Sequence, residues 1–239
     1  RVFRWLAVAT LVAASHSTAQ AACQQALAFG LDVSKSVDAE EYQLQLKGLA
    51  ATLTSPDVTS SILTMPKFPV RLLVFEWSGQ DYQRILIPWT DISNIEVLEN
   101  LSTELCLTQR RGAPPTTALG KAIQTGVRYL NQQPSCWKRT LDISGDGKSN
   151  TGPPPHTVNL PEKIGDVVIN ALVIGIDATT RLSHEELSVD ELATYFSNRV
   201  VAGPGAFFEI ALSFDDCEQA MIFKLLRELE LIGLSRLSQ

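Results

Sequence analysis

The chain has 239 residues, of which 45% are hydrophobic and 19% are charged. This length and composition suit one large globular domain with its own hydrophobic core. The formal net charge of −6 argues against a nucleic-acid-binding surface, and no run of lysine and arginine predicts attraction to an anionic membrane.

The first 21 residues have the order of a secretory signal peptide. Arg1 and Arg4 precede the apolar stretch 5–14, and small residues then lead to Ala21. The apolar stretch is shorter than the roughly 20 residues that span a bilayer, although a retained N-terminal anchor is the alternative. We expect cleavage after Ala21 and a mature domain over residues 22–239. The mature chain would then be periplasmic or secreted, without membrane insertion.

Beyond the signal peptide, strand-like and helix-like segments alternate along the chain. Apolar runs predict strands at 26–31, 70–77, 83–89, 140–144, 167–176 and 206–212. Helical spacing of apolar residues predicts helices at 38–53, 91–106, 117–133, 158–165, 186–198 and 213–231. The second and third strands flank a short polar turn and predict a hairpin, with Pro88 placing the later strand near an edge.

This alternation predicts an α/β fold with a single doubly wound, mostly parallel sheet. Helices would cover both faces, and one antiparallel strand would lie at the edge. No linker or repeat suggests a second domain. In sheets of this kind, binding sites form outside the carboxyl ends of the strands.

Three polar clusters fall at that end of the predicted sheet. They are Asp32–Ser36, the loop before Thr117, and Gly145–Asn150. Each cluster has an ordinary structural explanation, because serine, threonine and aspartate cap helices and occupy turns. Their convergence on one sheet edge favours a binding site.

The same three clusters resemble the metal-ion-dependent adhesion site of von Willebrand factor A domains. The matching segments keep the family's order and approximate separations, and they are Asp32-Val33-Ser34-Lys35-Ser36, Thr117-Ala118-Leu119-Gly120-Lys121-Ala122 and Ser144-Gly145-Asp146-Gly147. A narrower resemblance, to exported bacterial A-domain proteins of unknown function, rests on Glu76-Trp77-Ser78-Gly79, Pro88-Trp89-Thr90, Ser144-Gly145-Asp146-Gly147 and Gly203-Pro204-Gly205-Ala206-Phe207. The resemblance covers nearly the whole mature chain.

The resemblance implies a metal-binding role for five residues. Ser34, Ser36 and Thr117 would bind a divalent ion through their hydroxyls, while Asp32 and Asp146 would hold it directly or through water. This set suits Mg²⁺, which prefers oxygen ligands and retains water, and Mn²⁺ can substitute. A remaining coordination position would accept an Asp or Glu carboxylate from a protein partner. We therefore expect a binding domain without enzymatic activity, monomeric by itself.

The loop before the threonine departs from the family pattern. It carries Pro114 and Pro115 where relatives are usually glycine-rich, and Thr116 competes with Thr117 for the ligand role. The family spacing to Gly120 favours Thr117. Lys35 is a second departure, for which a solvated side chain is the simplest explanation.

The four cysteines have no zinc-like spacing, and the strand order implied by the resemblance suggests one disulfide. It would place Cys23 and Cys136 before adjacent strands, at the end opposite the metal, where they can pair. Buried free thiols are the simplest explanation for Cys106 and Cys217, whose state the sequence leaves open.

Two other functions remain open from the sequence. One is a scaffold A domain with a degenerate metal site, whose partner binding would not depend on metal. The other is a metal-assisted hydrolase, for which Glu76 or Asp142 are the candidate bases. His156 and His184 lie in predicted loops, and no G-x-S-x-G motif supports a serine hydrolase.

Overall fold

The computed structural model describes residues 22–175 and 188–237, with side chains up to residue 229. Its six strands are β1 Cys23–Asp32, β2 Val70–Trp77, β3 Gln83–Ile92, β4 Cys136–Gly145, β5 Val167–Ile174 and β6 Phe208–Ala211. The helices are α1 Ala39–Thr54, α2 Pro56–Ile62, α3 Ile95–Leu107, α4 Leu119–Leu130, α5 Pro155–Val158, α6 Pro161–Ile164, α7 Val189–Arg199 and α8 Cys217–Leu237. The predicted signal peptide and His184 lie outside the described residues.

The strands form one sheet in the order β3-β2-β1-β4-β5-β6. All neighbouring strands are parallel except β2 and β3, which pair antiparallel and leave β3 at an edge. This is the predicted mostly parallel sheet with one antiparallel edge strand. The chain passes from β1 to β2 on one side and later to β4 on the other, so the order reverses at β1. Such a reversal opens a crevice at the carboxyl ends of the strands.

Helices cover both faces of the sheet, and the side chains of β1 alternate between them. Leu27, Phe29 and Leu31 belong to a core cluster shared with α1, α3 and α8. Ala26 and Ala28 face the other cluster, which includes residues of α4 and α7. Because the whole of β1 is buried, it anchors the residues that follow it.

Several predicted helix and strand boundaries were wrong, and one helix was missed. The predicted helix at Asp91 begins four residues later, with Asn94 as its N-cap, because β3 continues to Ile92. Asp91 instead pairs with Arg71 of β2, at 2.6 Å between Nε and Oδ1. The predicted helix at 158–165 is two single turns, α5 and α6. The helix α2 was not predicted, and β4 begins four residues before the predicted start at 140.

Cys23 and Cys136 form a disulfide with their Cα atoms 4.5 Å apart. They face each other across the β1–β4 ladder at the amino ends of the two strands, opposite the crevice. Both Cys106 and Cys217 are free thiols, and Cys217 is buried as expected, whereas Cys106 is exposed and the expected burial was wrong there. Within the described residues, no helix has the length and apolar character needed to cross a membrane.

Candidate metal site

Two buried carboxylates lie at the carboxyl ends of the adjacent strands β1 and β4. Asp32 is the last residue of β1 and is 1% exposed, and Asp146 directly follows β4 and is 6% exposed. The Asp32 side chain reaches towards β4, since a Cβ on Gly145 would lie 3.5 Å from its Oδ2. Both carboxylates therefore occupy the crevice that the reversal of strand order creates.

The loop after β1 folds back onto both carboxylates. The backbone N–H of Ser34 donates to Oδ1 of Asp32 at 2.8 Å, which turns the chain immediately after the strand. The hydroxyls of Ser34 and Ser36 are 3.3 Å apart, and the Ser36 hydroxyl donates to Oδ1 of Asp146 at 2.8 Å. Ser34 is buried, whereas Lys35 and Ser36 are exposed. The group thus opens to solvent at Ser36.

The loop before α4 joins this group through its backbone and through one arginine. The N–H of Lys35 donates to the carbonyl of Pro115 at 3.4 Å. The Arg110 guanidinium donates to the carbonyls of Val33 and Val37 at 3.1 and 3.0 Å. These contacts hold the second loop against the first.

Thr117 is 5% exposed and is not a helix cap. The N-cap of α4 is Ala118, without a side-chain cap hydrogen bond. Asn150 instead holds Thr117, because its side-chain oxygen accepts from the Thr117 N–H at 2.9 Å and its own N–H donates to the Thr117 carbonyl at 3.0 Å. The third loop therefore positions the residue, and the neighbouring Thr116 is only partly buried.

The structure thus brings Asp32, Ser34, Ser36 and Asp146 into one hydrogen-bonded group. Thr117 lies on a loop that contacts this group through the backbone of Pro115. The polar clusters predicted from the sequence meet at one sheet edge.

The two carboxylates are buried in a way that disfavours their negative charges. Oδ2 of Asp32 and Oδ2 of Asp146 are both buried, and neither has a hydrogen-bond partner among the described residues. Burial raises the pKa of Asp32 well above its usual value, and the charge of Asp146 raises it further, while hydrogen bonds from Ser34 oppose the shift. Burial also raises the pKa of Asp146, and the hydrogen bond from Ser36 opposes that shift. Buried charges without partners are costly, and a bound cation would offset the cost.

The donor set is rich in hydroxyls and poor in carboxylates. Among the described residues, no group of three or more His, Cys, Asp or Glu side chains is arranged to hold a metal ion. Any metal at this edge would therefore depend on Ser and Thr hydroxyls as well as Asp32 and Asp146. Such an all-oxygen set fits Mg²⁺, which needs few carboxylates and keeps part of its water shell.

Supporting residues that the sequence did not single out stabilise the first loop from behind. The Gln45 amide on α1 donates to the Asp32 carbonyl at 3.0 Å and accepts from the Ser144 hydroxyl at 2.5 Å. No local pattern distinguishes Gln45 or Arg110 from ordinary polar residues. Asn150 at least lay at the end of a predicted polar cluster.

The two candidate bases of a hydrolase are engaged elsewhere. Glu76 accepts hydrogen bonds from the Tyr42 and Tyr82 hydroxyls at 2.8 and 2.6 Å, and it pairs with Arg84 at 2.9 Å. Asp142 pairs with the buried Lys224 of α8 at 2.5 Å. Both carboxylates are committed to structural contacts within the fold.

Comparison with known proteins identifies the family. Residues 22–232 match the model of a family described as a protein of unknown function, DUF1194. No protein with a curated description matches the sequence.

Solved structures share the fold at low sequence identity. Proximal thread matrix protein 1 from the mussel byssus is 16% identical with a TM-score of 0.60, over 88% of this chain and 49% of that one. Another structure of the mussel protein has a zinc-occupied metal-ion-dependent adhesion site (MIDAS) motif. It is 18% identical with a TM-score of 0.56, over 88% of this chain and 49% of that one. BatB from Bacteroides thetaiotaomicron is 12% identical with a TM-score of 0.52, over 86% and 98% of the two chains. The chain therefore spans about half the length of the mussel protein.

Proposed function

Because the chain belongs to this family of unknown function and has the fold of a von Willebrand factor A domain, we propose that it is an exported, metal-dependent protein-binding domain. One observation carries the proposal: at the carboxyl ends of β1 and β4, the buried oxygens Oδ2 of Asp32 and Oδ2 of Asp146 have no hydrogen-bond partner in the part of the chain that the structure describes. A divalent cation would supply the missing partner for both.

Five residues would hold the ion in this proposal. Ser34, Ser36 and Thr117 would contribute hydroxyls, and Asp32 and Asp146 would bind directly or through water. Mg²⁺ is the ion that suits this set best, with Mn²⁺ as a substitute. Since the mussel protein has a zinc-occupied MIDAS motif, Zn²⁺ belongs in the same titration.

The bound ion would provide an attachment point for a partner carboxylate. Hydroxyl ligands are neutral, so part of the ion's positive charge would remain available to an Asp or Glu side chain of another protein. Ser36 and Lys35 are exposed, so a partner can approach the group from solvent. The Cys23–Cys136 disulfide supports an extracytoplasmic location, because disulfides persist in oxidising compartments.

Calorimetric titration of Mg²⁺, Mn²⁺ and Zn²⁺ into the purified chain tests the metal site. Wild type should bind Mg²⁺, and Asp32→Ala should not. Asp81→Asn is the matched control, because Asp81 is an exposed acid in the β2–β3 turn at the same end of the sheet. Its Mg²⁺ affinity should equal that of wild type.

A metal-dependent pull-down from envelope extracts then tests the binding function. Partners should be retained in Mg²⁺ and released by EDTA. Partner capture that is indifferent to EDTA and to Asp32→Ala would instead identify a scaffold with a degenerate site. A wild-type chain that binds none of the three ions would exclude the proposal.

A further inference from the structure

A pocket of about 440 Å³ lies beside the candidate metal site. Its walls are the loop from Lys148 to His156 and one side of α7, which contributes Tyr195 and Arg199. The pocket begins two residues after Asp146, so it lies next to the crevice on the β4 side.

The described lining of this pocket carries positive charge and no carboxylate. The charge comes from Lys148 and Arg199, which line the pocket and are exposed, and no Asp or Glu is among the described residues that line it. Within the described part of the chain, neither Lys148 nor Arg199 forms a salt bridge. This local charge contrasts with the chain's formal net charge of −6.

The pocket has a partly rigid wall. Tyr195 is half-buried, and its hydroxyl accepts a hydrogen bond from the N–H of Ser149 at 3.2 Å. The Lys148 ammonium lies 5.8 Å from the centre of the Tyr195 ring, within the range of a cation–π interaction. Pro154 and Pro155 restrict the opposite side of the loop.

The same loop is bonded directly to the Thr117 segment. Asn150 lines the pocket and also forms two hydrogen bonds with the Thr117 backbone. The Ser149 hydroxyl adds a third bond to the Thr117 carbonyl at 3.2 Å. A ligand in the pocket would therefore contact the same loop that positions Thr117.

We propose that this pocket, defined by Lys148, His156, Tyr195 and Arg199, is a second subsite that accepts a carboxylate from the same partner. The partner would then present an acidic peptide segment, with one acid at the metal and another in the pocket. The inference deepens the proposed function and rests on it for the first acid. Arg199 suits the second acid because a guanidinium can bind a carboxylate through two hydrogen bonds. A cationic subsite also overcomes the repulsion that an acidic partner would meet from an acidic chain.

Two synthetic peptides test the subsite directly. The one-acid peptide is a Gly/Ser nonapeptide with a single central Asp, and the four-acid peptide has Asp at the centre and at the next three positions. At saturating Mg²⁺, wild type should bind the four-acid peptide about tenfold more tightly, as one added charge-assisted contact provides. The double variant Lys148→Ala/Arg199→Ala should reduce this ratio to about twofold or less.

Matched measurements separate the pocket from the metal and from overall charge. The double variant should keep the wild-type affinity for Mg²⁺ and for the one-acid peptide. Lys47→Ala/Lys67→Ala removes the same charge from exposed positions outside the pocket and should keep the wild-type ratio. A double variant that retains the full ratio, or a wild type that binds both peptides equally, would overturn the subsite.

Failure of the proposed function gives a different result. One-acid binding that is unchanged in EDTA would show that the metal does not hold the first acid. The four-acid peptide in EDTA at low salt would still compare wild type with the double variant. Tighter binding by wild type supports the pocket alone, and equal binding refutes it.

Discussion

The Ser36 hydroxyl donates to Oδ1 of Asp146 at 2.8 Å, and this bond connects the loop after β1 to the loop after β4. The other oxygen of Asp146 is buried and has no hydrogen-bond partner within residues 22–175 and 188–229. Ser36 is thus the exposed residue of the candidate metal site, and it can be changed without opening the core.

Ser36→Ala should weaken Mg²⁺ binding by about tenfold or more, because it removes a proposed ligand and the hydrogen bond that orients Asp146. The free energy of unfolding without metal should fall by about 1–3 kcal/mol, because Oδ1 of the buried Asp146 loses its hydrogen-bond donor. Calorimetry and urea denaturation measure the two quantities. Ser60→Ala, at an exposed position on α2, should leave both unchanged. Equal Mg²⁺ affinities for the two variants would contradict the assignment.

Gly120→Ala should disturb the site through the backbone. A Cβ on Gly120, in the first turn of α4, would overlap the carbonyl oxygen of Pro153. The loop that carries Asn150 would have to move, so the unfolding free energy should fall by about 1–3 kcal/mol and Mg²⁺ affinity should fall too. Gly112→Ala is the matched control, because no heavy atom of the described residues, other than those of its chain neighbours, lies within 4 Å of its Cβ position. Equal urea midpoints for the two variants would refute this account.

Lys224 holds α8 against the sheet through two buried carboxylates. Its ammonium lies 2.5 Å from Asp142 of β4 and 2.6 Å from Glu228 on its own helix. Lys224→Met should lower the unfolding free energy by about 3–5 kcal/mol, because it leaves two buried acids without their cation. Denaturant unfolding followed by circular dichroism measures the loss. Arg227→Met, one helical turn along but exposed, should cost far less.

Asp142 should make stability depend on pH. Burial raises its pKa from 3.8 to about 7, against the attraction of Lys224, and Glu228 raises it further. The folded protein therefore keeps a proton that the unfolded chain releases. Asp142 thus contributes stability that is fully present below the unfolded pKa of 3.8 and is lost as pH rises through about 7. Between these two pKa values, the free energy of unfolding of wild type should fall by up to ~1.4 kcal/mol per pH unit more than that of Asp142→Asn. Parallel unfolding curves for wild type and Asp142→Asn from pH 4 to 8 would exclude it.

The disulfide should stabilise the fold without affecting the site. Cys23 and Cys136 are separated by 113 residues in sequence, and removal of a native disulfide costs about 2–5 kcal/mol. Cys23→Ala/Cys136→Ala should show this loss in urea denaturation and keep the wild-type Mg²⁺ affinity. Cys106→Ala, at an exposed free thiol, should change neither. A double variant that lost Mg²⁺ binding while still folded would show that the two ends of the sheet are not independent.

The architecture was predictable because its signals are local. Buried β-branched runs such as β5 and the proline-bearing edge strand β3 are visible in the sequence alone. The end of β3 was not predicted, because Asp91 is held there by Arg71 from the neighbouring strand. An ion pair between strands leaves no periodic pattern around either residue.

The site shows the same division between local and long-range information. The spacing of Asp32, Ser34 and Ser36 is a local pattern, and the structure places all three beside Asp146. The contacts that hold the second loop could not be predicted, since Arg110 reaches carbonyls more than 70 positions away in sequence. Thr117 resembled a helix cap, yet its N–H bonds to Asn150 of another loop.

The two hydrogen bonds between Asn150 and the Thr117 backbone have a thermodynamic consequence. Movement of the pocket loop would carry Thr117 with it. Binding in the pocket and binding at the metal site would therefore be linked by a coupling free energy. Linkage then requires reciprocity: by whatever factor the cation tightens an acidic peptide, the peptide tightens the cation. Under the proposed function, the partner itself would therefore help the chain to retain the ion.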